Sequence, residues 1–417
     1  MKVQGVSDTG KFWPWIIWLA AAVFVIFQQY TGTFYGLTSG QLEKWYEATK
    51  GDISLMSACF FLTYGLMQIP AGLIMDRFNK KLVLSGAAAV AAIGMLTFTL
   101  FPSFPMGCLA AVILGVGTSF AFVGAVMLFI KWFAPGQFAF VLGLLGGIGC
   151  IGTAVLCTVT TNYVTRISFT VILIALTVFS VVTFVMNFLF VHDPPEAKEE
   201  TPRIPPAESD SLLKSLGQVL KNRQNWLAGL FNALLFGPAL AFSSFWNFPY
   251  QKTYHHGSAS AVMINNMVLV GLAIGAPLIG WLSDRIKQRV LPAQLFAVGS
   301  LACMILIISD LVFSKMLIFA IMLLYGLFSN ATTVGYAFAK EHTEAQNHGT
   351  VTGFVNTITF ISITALQILP GVFYGNLKTF YAKVYTYDSA LLILPFCILG
   401  AIAATFFMKE THGRPQC

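Results

Sequence analysis

Twelve apolar runs, each near the roughly 20 residues that a helix needs to cross about 30 Å of hydrocarbon, dominate this 417-residue chain. They fall at 13–34, 53–75, 82–101, 106–130, 137–163, 168–191, 225–248, 258–283, 292–313, 316–339, 350–373 and 388–408. In lipid every backbone N–H and C=O must find a partner within the spanning structure, so each run reads as a helix. The expected fold class is an all-α membrane protein of twelve transmembrane helices. Only 10% of residues are charged and 57% are hydrophobic, against about 25% and 45–50% in soluble domains. A soluble enzyme is excluded on that ground.

The net charge of +7 raises the question of an acidic partner, but the basic residues sit in short clusters between apolar runs, a pattern of membrane topology rather than of nucleic-acid binding. No nucleic-acid partner is expected. Seventeen of the 24 Lys and Arg fall on the side that holds both termini and the central loop, which predicts cytoplasmic termini. The first run continues unbroken from Trp13 to Phe34 without a small-residue cleavage site, so it is expected to stay as a span. The seven cysteines form no C-x-x-C pair, and all but Cys417 lie in apolar stretches, where they read as small packing residues.

One long polar stretch, between the sixth and seventh runs, divides the chain. Its first part is rich in Pro and Glu, as a linker is. Its second part, 209–221, sets Leu212, Leu213, Leu216 and Leu220 at helical spacing beside Lys214 and Lys221, the pattern of an interfacial amphipathic helix. The expected organisation is a bundle at 1–192, a cytoplasmic linker at 193–224 and a second bundle at 225–417.

The two parts repeat each other. Gly72-Leu-Ile-Met-Asp76-Arg77 after the second run recurs as Gly280-Trp-Leu-Ser-Asp284-Arg285 after the eighth, 208 positions later, half the chain length to within one residue. Pro70 with Pro277, Gly117 with Gly326, Lys131 with Lys340 and Gly143 with Gly353 keep that offset within two residues. A constant offset across separate residue types marks an internal duplication.

This repeated Gly-x-x-x-Asp-Arg loop, set after the second and eighth of twelve spans, resembles the major facilitator superfamily, and the stretch Tyr64 to Gly72 with Lys131-Trp132-Phe133 is similar to bacterial members. The resemblance implies two pseudo-symmetric six-helix bundles around a midplane site, rocking to open on alternate sides, the arrangement for which general accounts of transporters use this superfamily as an example. The loop residues Gly72, Asp76, Arg77, Lys131, Gly280, Asp284 and Arg285 are expected to gate it through charge pairs at helix ends. The family's second Gly is Asn79 in the first loop and Lys287 in the second. Asn tolerates a left-handed backbone, so the first loop is expected to keep its turn, while Lys287 fits it less well.

No Asp, Glu, Lys or Arg lies well inside any run. Because a charge in hydrocarbon is costly and usually functional, this favours a small polar solute that is net-neutral or zwitterionic, such as an amino acid, peptide or sugar. Proton coupling would fall to Asp310, Glu341 or His342 at span ends. The resemblance implies that spans 1, 4, 7 and 10 line the cavity. Their uncharged polar residues, Gln28, Gln29, Thr31, Tyr35, Ser119, Asn232, Asn247, Asn330, Thr333 and Tyr336, with Asn356 of span 11, are the candidate substrate contacts. Any of them could instead be interhelical glue.

Other motifs fail on context. Gly147-Ile-Gly149-Cys-Ile-Gly152 matches a dinucleotide fingerprint but sits within a span. The Gly-Pro element of many drug antiporters in the superfamily is missing from the fifth span. No catalytic triad, zinc spacing, phosphate loop or cofactor motif is present. The expectation is therefore a non-enzymatic symporter or facilitator without cofactor or metal, working as a monomer in a bacterial inner membrane. An exporter of amphipathic compounds and a non-transporting solute sensor are the alternatives.

Overall fold

The computed structural model describes residues 9–133, 135–164, 166–192, 209–254, 258–309, 314–344, 347–380 and 390–412. The described residues form helices and connecting turns. The first half comprises α1 (Thr9–Leu37), α2 (Ser39–Trp45), α3 (Lys50–Leu66), α4 (Gln68–Arg77), α5 (Lys80–Leu100), α6 (Phe104–Thr118), α7 (Phe120–Trp132), α8 (Pro135–Tyr163) and α9 (Phe169–Phe190). After α10 (Ser209–Lys221), the second half comprises α11 (Arg223–Ala241), a π-helical turn (Phe242–Trp246), α12 (Asn247–Tyr254), α13 (Ser258–Ile286), α14 (Val290–Ile307), α15 (Lys315–Ser329), α16 (Thr332–Glu341), α17 (His348–Phe380) and α18 (Ile393–Thr405).

Among the described residues ten stretches are long and apolar enough to cross a membrane, and eleven if α3 and α4, bent by 43° at Met67, form one span. The run at 388–408 contains the 13-residue α18, shorter than a full crossing; residues 381–389 lie outside the described residues.

Local chemistry explains where helices start and break. Thr49 and Asp52 form a reciprocal capping box at the start of α3, satisfying two of the amides that a helix N-terminus leaves open. Asn79 caps α5 by accepting from the Leu82 amide at 3.2 Å, and Ser314 caps α15 by accepting from Leu317 at 3.3 Å. The break at Met67 falls three residues before Pro70, whose ring collides with the carbonyl of residue i−4, here Leu66 at the end of α3, and which lacks an amide to donate. Neither this break nor two further ones were expected. The run at 106–130 divides at Ser119 and the run at 316–339 at Asn330-Ala331. The π-helical turn interrupts the seventh span four residues after Pro238. Apolar side chains continue through these interruptions, so hydropathy does not register them.

The duplication is visible in the packing. Counting α3–α4 as the second span, α6–α7 as the fourth, α11–α12 as the seventh and α15–α16 as the tenth, span 1 packs on 5 and 6 as span 7 packs on 11 and 12. Span 4 packs on 2 and 3 as span 10 packs on 8 and 9, and 3 meets 6 as 9 meets 12. Each contact recurs six spans later. The halves meet along two flanks, α3 against α17 and α8 against α13, and at one end, where α1 meets the π-helical turn.

The segment 209–221 is helical, as its leucine spacing predicts. It rests on α11 and α17. Val219 is fully buried, the Trp226 indole donates to the Leu220 carbonyl at 2.8 Å, and Asn347 donates to Gln218 at 2.8 Å.

Candidate functional site

At one end the two halves meet in a backbone-to-backbone closure. Gly36, near the end of α1, lies against the π-helical turn so tightly that a Cβ there would sit 2.4 Å from the Phe245 Cα and 2.5 Å from the Ser244 carbonyl oxygen. Glycine alone permits this approach. The closure lies on the face opposite that which holds the start of α1 and the end of α18. On the terminal face, α7 and α16 each pack chiefly within their own half. The structure is thus shut on the opposite face.

Below the closure, Gln28 shares a face of α1 with Gly32 and Gly36, at i, i+4 and i+8. Gln28 and Gln29 are half-buried, and among the described residues neither side-chain amide has a hydrogen-bond partner. Gln29 rests on α8, where a Cβ on Gly149 would come within 2.8 Å of its Nε2. Gly149 and Gly152 of the Gly147–Gly152 run thus serve helix packing, against Gln29 and Ile26 of α1.

Hydrogen bonds cross between halves on both flanks. Tyr336 on α16 donates to Asn356 Oδ1 at 2.8 Å, Asn356 donates to Gln68 Oε1 at 2.9 Å, and Gln68 donates to the Tyr64 carbonyl at 3.3 Å. This relay joins spans 10, 11 and 2. On the other flank Asn266 of α13 donates to the Ala154 carbonyl at 3.2 Å and to Thr158 at 3.1 Å, both on α8.

The remaining candidate contacts have structural engagements. Thr31 donates to the Phe27 carbonyl at 2.7 Å, and with Tyr35 it lines a narrow apolar crevice inside the first half. Ser119 donates to the Val116 carbonyl at the break of span 4. Asn232 is wedged against Gly335, where a Cβ would lie 2.1 Å from its Oδ1. Asn247 donates to Asn265 Oδ1 at 2.8 Å. Asn330 donates to the Leu272 carbonyl and accepts from Thr332, so both ends of its amide serve the break in span 10. Thr333 is exposed beside Gly280, 3.4 Å from where a Cβ would stand. The structure thus joins Tyr336 and Asn356 directly, leaves Gln28 and Gln29 available, and spreads the others among helix contacts.

The terminal face carries the charges. Arg289 donates from Nη1 to Asp284 at 2.6 Å and to Ser283 at 2.8 Å, and from Nη2 to Glu341 at 2.7 Å. Glu410, beyond α18, accepts from the Arg289 and Val290 amides at 2.8 and 2.9 Å, capping α14. Thr411 donates to Glu341. Burial opposes ionisation of Glu410, but the backbone amides of Val290, Arg289, His412 and Thr411 prevail and hold its carboxyl below the usual carboxylate range. Asp284 is therefore held by Arg289, while the motif's own Arg285 lies over the Trp281 ring, 5.2 Å from its centroid. Lys131 is exposed at the end of α7, and nothing lies within 4 Å of a Cβ on Gly72. The side chains of Asp76 and Arg77 fall outside the described residues.

The two loops reverse the expected backbone. Lys287 takes the left-handed conformation, with φ of 54°, at the position of the family's second Gly. Asn79 instead has φ of −60° and caps α5. Capping won because Asn79 immediately precedes a helix whose first amides lack partners. Glu410, Asn266 and Thr158 escaped sequence reasoning: single polar residues without a spacing signal gain their roles only from tertiary contact. Among the described residues no Asp, Glu, Lys or Arg lies at bilayer depth between the halves, and no cluster of metal-ligating side chains occurs.

The family model of the Major Facilitator Superfamily matches residues 15–367. The chain belongs to that superfamily of membrane transporters. It is 20% identical to the choline/ethanolamine transporter flvcr2a of Danio rerio, over an alignment of 437 positions covering 98% of this chain and 90% of that protein. Solved structures share the fold. A bacterial homologue of the human lysosomal transporter Spinster, inward-facing and occupied, superposes with a TM-score of 0.76 at 13% identity, covering 95% of this chain and 97% of that one. Its inward-facing, unoccupied form gives 0.67 at 14% identity, with 97% and 95% covered. A nucleoside transporter, NupG, gives 0.71 at 14% identity, with 94% and 98% covered.

Proposed function

We propose that this protein carries a small polar organic solute across a bacterial inner membrane by alternating access, as a monomer with both termini in the cytoplasm. Residues 1–192 and 225–417 act as the two rocking units and 193–224 as their cytoplasmic connection. The observation that carries the proposal is the chemistry between the halves beneath the Gly36 closure: amides on Gln28 and Gln29 without a hydrogen-bond partner and the Tyr336–Asn356–Gln68 relay, with no ionised side chain beside them among the described residues. Such walls suit a net-neutral or zwitterionic solute, because a net charge would enter without a counter-charge. A coupled proton would have to be carried at span ends, by Asp310, which lies outside the described residues, or by Glu341 or His342.

A second reading follows from the named relative. Choline and ethanolamine carry an ammonium group, which aromatic faces can hold without a carboxylate. Tyr64 and Phe360, with ring centroids 4.7 Å apart, stand beside the relay. Both readings face the same experiment: purified protein in liposomes, assayed for counterflow of amino acids, dipeptides, sugars, ethanolamine and choline. Flux of one group and not the other selects between the readings, and binding without any flux makes the protein a sensor. Tyr336→Phe leaves the Asn356 oxygen without its donor and is expected to reduce transport severalfold while the protein stays folded by size-exclusion chromatography. Unchanged flux would remove the relay from the mechanism.

A further inference from the structure

Above the Gly36 closure the opposite face holds a second cavity, of about 430 Å³, within the range of small-ligand pockets. Its floor is the closure itself, since Gly36 both lines it and packs on Phe245. The closure therefore separates it from the candidate site below. One wall comes from the first half, with Gly40 and Glu43 on α2 and Lys50 at the start of α3; the other comes from α12, with Phe248 and Lys252. Glu43 is half-buried and Lys252 exposed. Among the described residues neither has an ion-pair partner.

We propose that this mouth is a second ligand site, for a small zwitterion whose ammonium end meets Glu43 and whose anionic end meets Lys252. A single charge satisfies only one wall. The opposite charges of Glu43 and Lys252, without an ion-pair partner among the described residues, face a cavity of this size and match a molecule that carries both. Because each wall belongs to a different half, the site is complete only while this face is shut. A ligand that binds one state and not the other shifts the balance toward the first, so occupancy holds the transporter closed on this face and slows its cycle.

The test uses O-phosphoethanolamine as probe, with inorganic phosphate as its anionic half alone, and reads melting temperature in detergent and transport rate in liposomes. O-phosphoethanolamine is expected to raise the melting temperature saturably and to slow transport, and inorganic phosphate to do neither. Glu43→Lys and Lys252→Glu should each weaken binding by about threefold or more, the scale of one exposed ion contact. The double exchange should restore binding, with the ligand reversed. Gly40→Phe, at a position where a Cβ meets nothing within 4 Å, should fill the cavity and abolish the effect in a folded protein. No shift in the wild type, or a shift unaltered by the single exchanges and by Gly40→Phe, would overturn the proposal. Either result leaves transport through the central chamber untouched, since that is read from solute flux without the probe.

Discussion

Lys287 holds a backbone conformation, φ of 54°, that costs an L-residue roughly 1 kcal/mol relative to Gly. Lys287→Gly is therefore expected to stabilise the protein by about 1 kcal/mol, measured by thermal melting in detergent. Glu410 works in the opposite direction, holding together the start of α14 and the chain beyond α18. Glu410→Ala should cost about 1 kcal/mol at neutral pH, as loss of a helix cap does. The carboxyl is depressed in the folded state, so its contribution is complete above the ordinary value near 4.5 and lost as pH falls through the lower folded value. Melting curves of wild type and variant should converge below pH 4.5, and a constant separation would exclude the capping role. Such residues show how legibility fails at this scale. Glu410 is one carboxylate in a polar tail, whereas Asp284 was readable because a motif repeats it 208 positions after Asp76.

Helices were more legible than their interruptions. The leucine spacing of 209–221 announces α10, whereas the run at 53–75 reads as one span and hides the break after Leu66. Ser119 and Asn330 announce nothing, because an apolar run reads the same whether the helix is whole or divided. The candidate site suffers likewise. Asn330 has the amide expected of a substrate contact, but its partners are the Leu272 carbonyl and Thr332. Spacing gives a side chain's face and leaves its partner open. The closure makes a sharper prediction at this scale. Gly36→Ala places a methyl group 2.4 Å from the Phe245 Cα, so α1 and the π-helical turn cannot both keep their places. The variant should fold, hold its opposite face open and transport at a small fraction of the wild-type rate. Spin labels on Gly40 and Phe248 should report a greater separation; an unchanged distance with full transport would show that the contact gates nothing.

The whole molecule follows from duplication. A repeated set of helices gives the same internal contacts twice among the described residues and leaves faces between the copies. Their apolar composition tells why few charges lie there and where the halves meet, but which solute is admitted depends on a handful of amides and rings. The direct test is side-specific labelling of Gln28→Cys, in a background lacking the seven native cysteines, by a membrane-impermeant maleimide in vesicles of defined orientation. Labelling is expected from the terminal face in the resting protein, and from the opposite face once Gly36→Ala is added. Equal labelling from both faces in either protein, or none from either face in both, would contradict a chamber that opens on alternate sides.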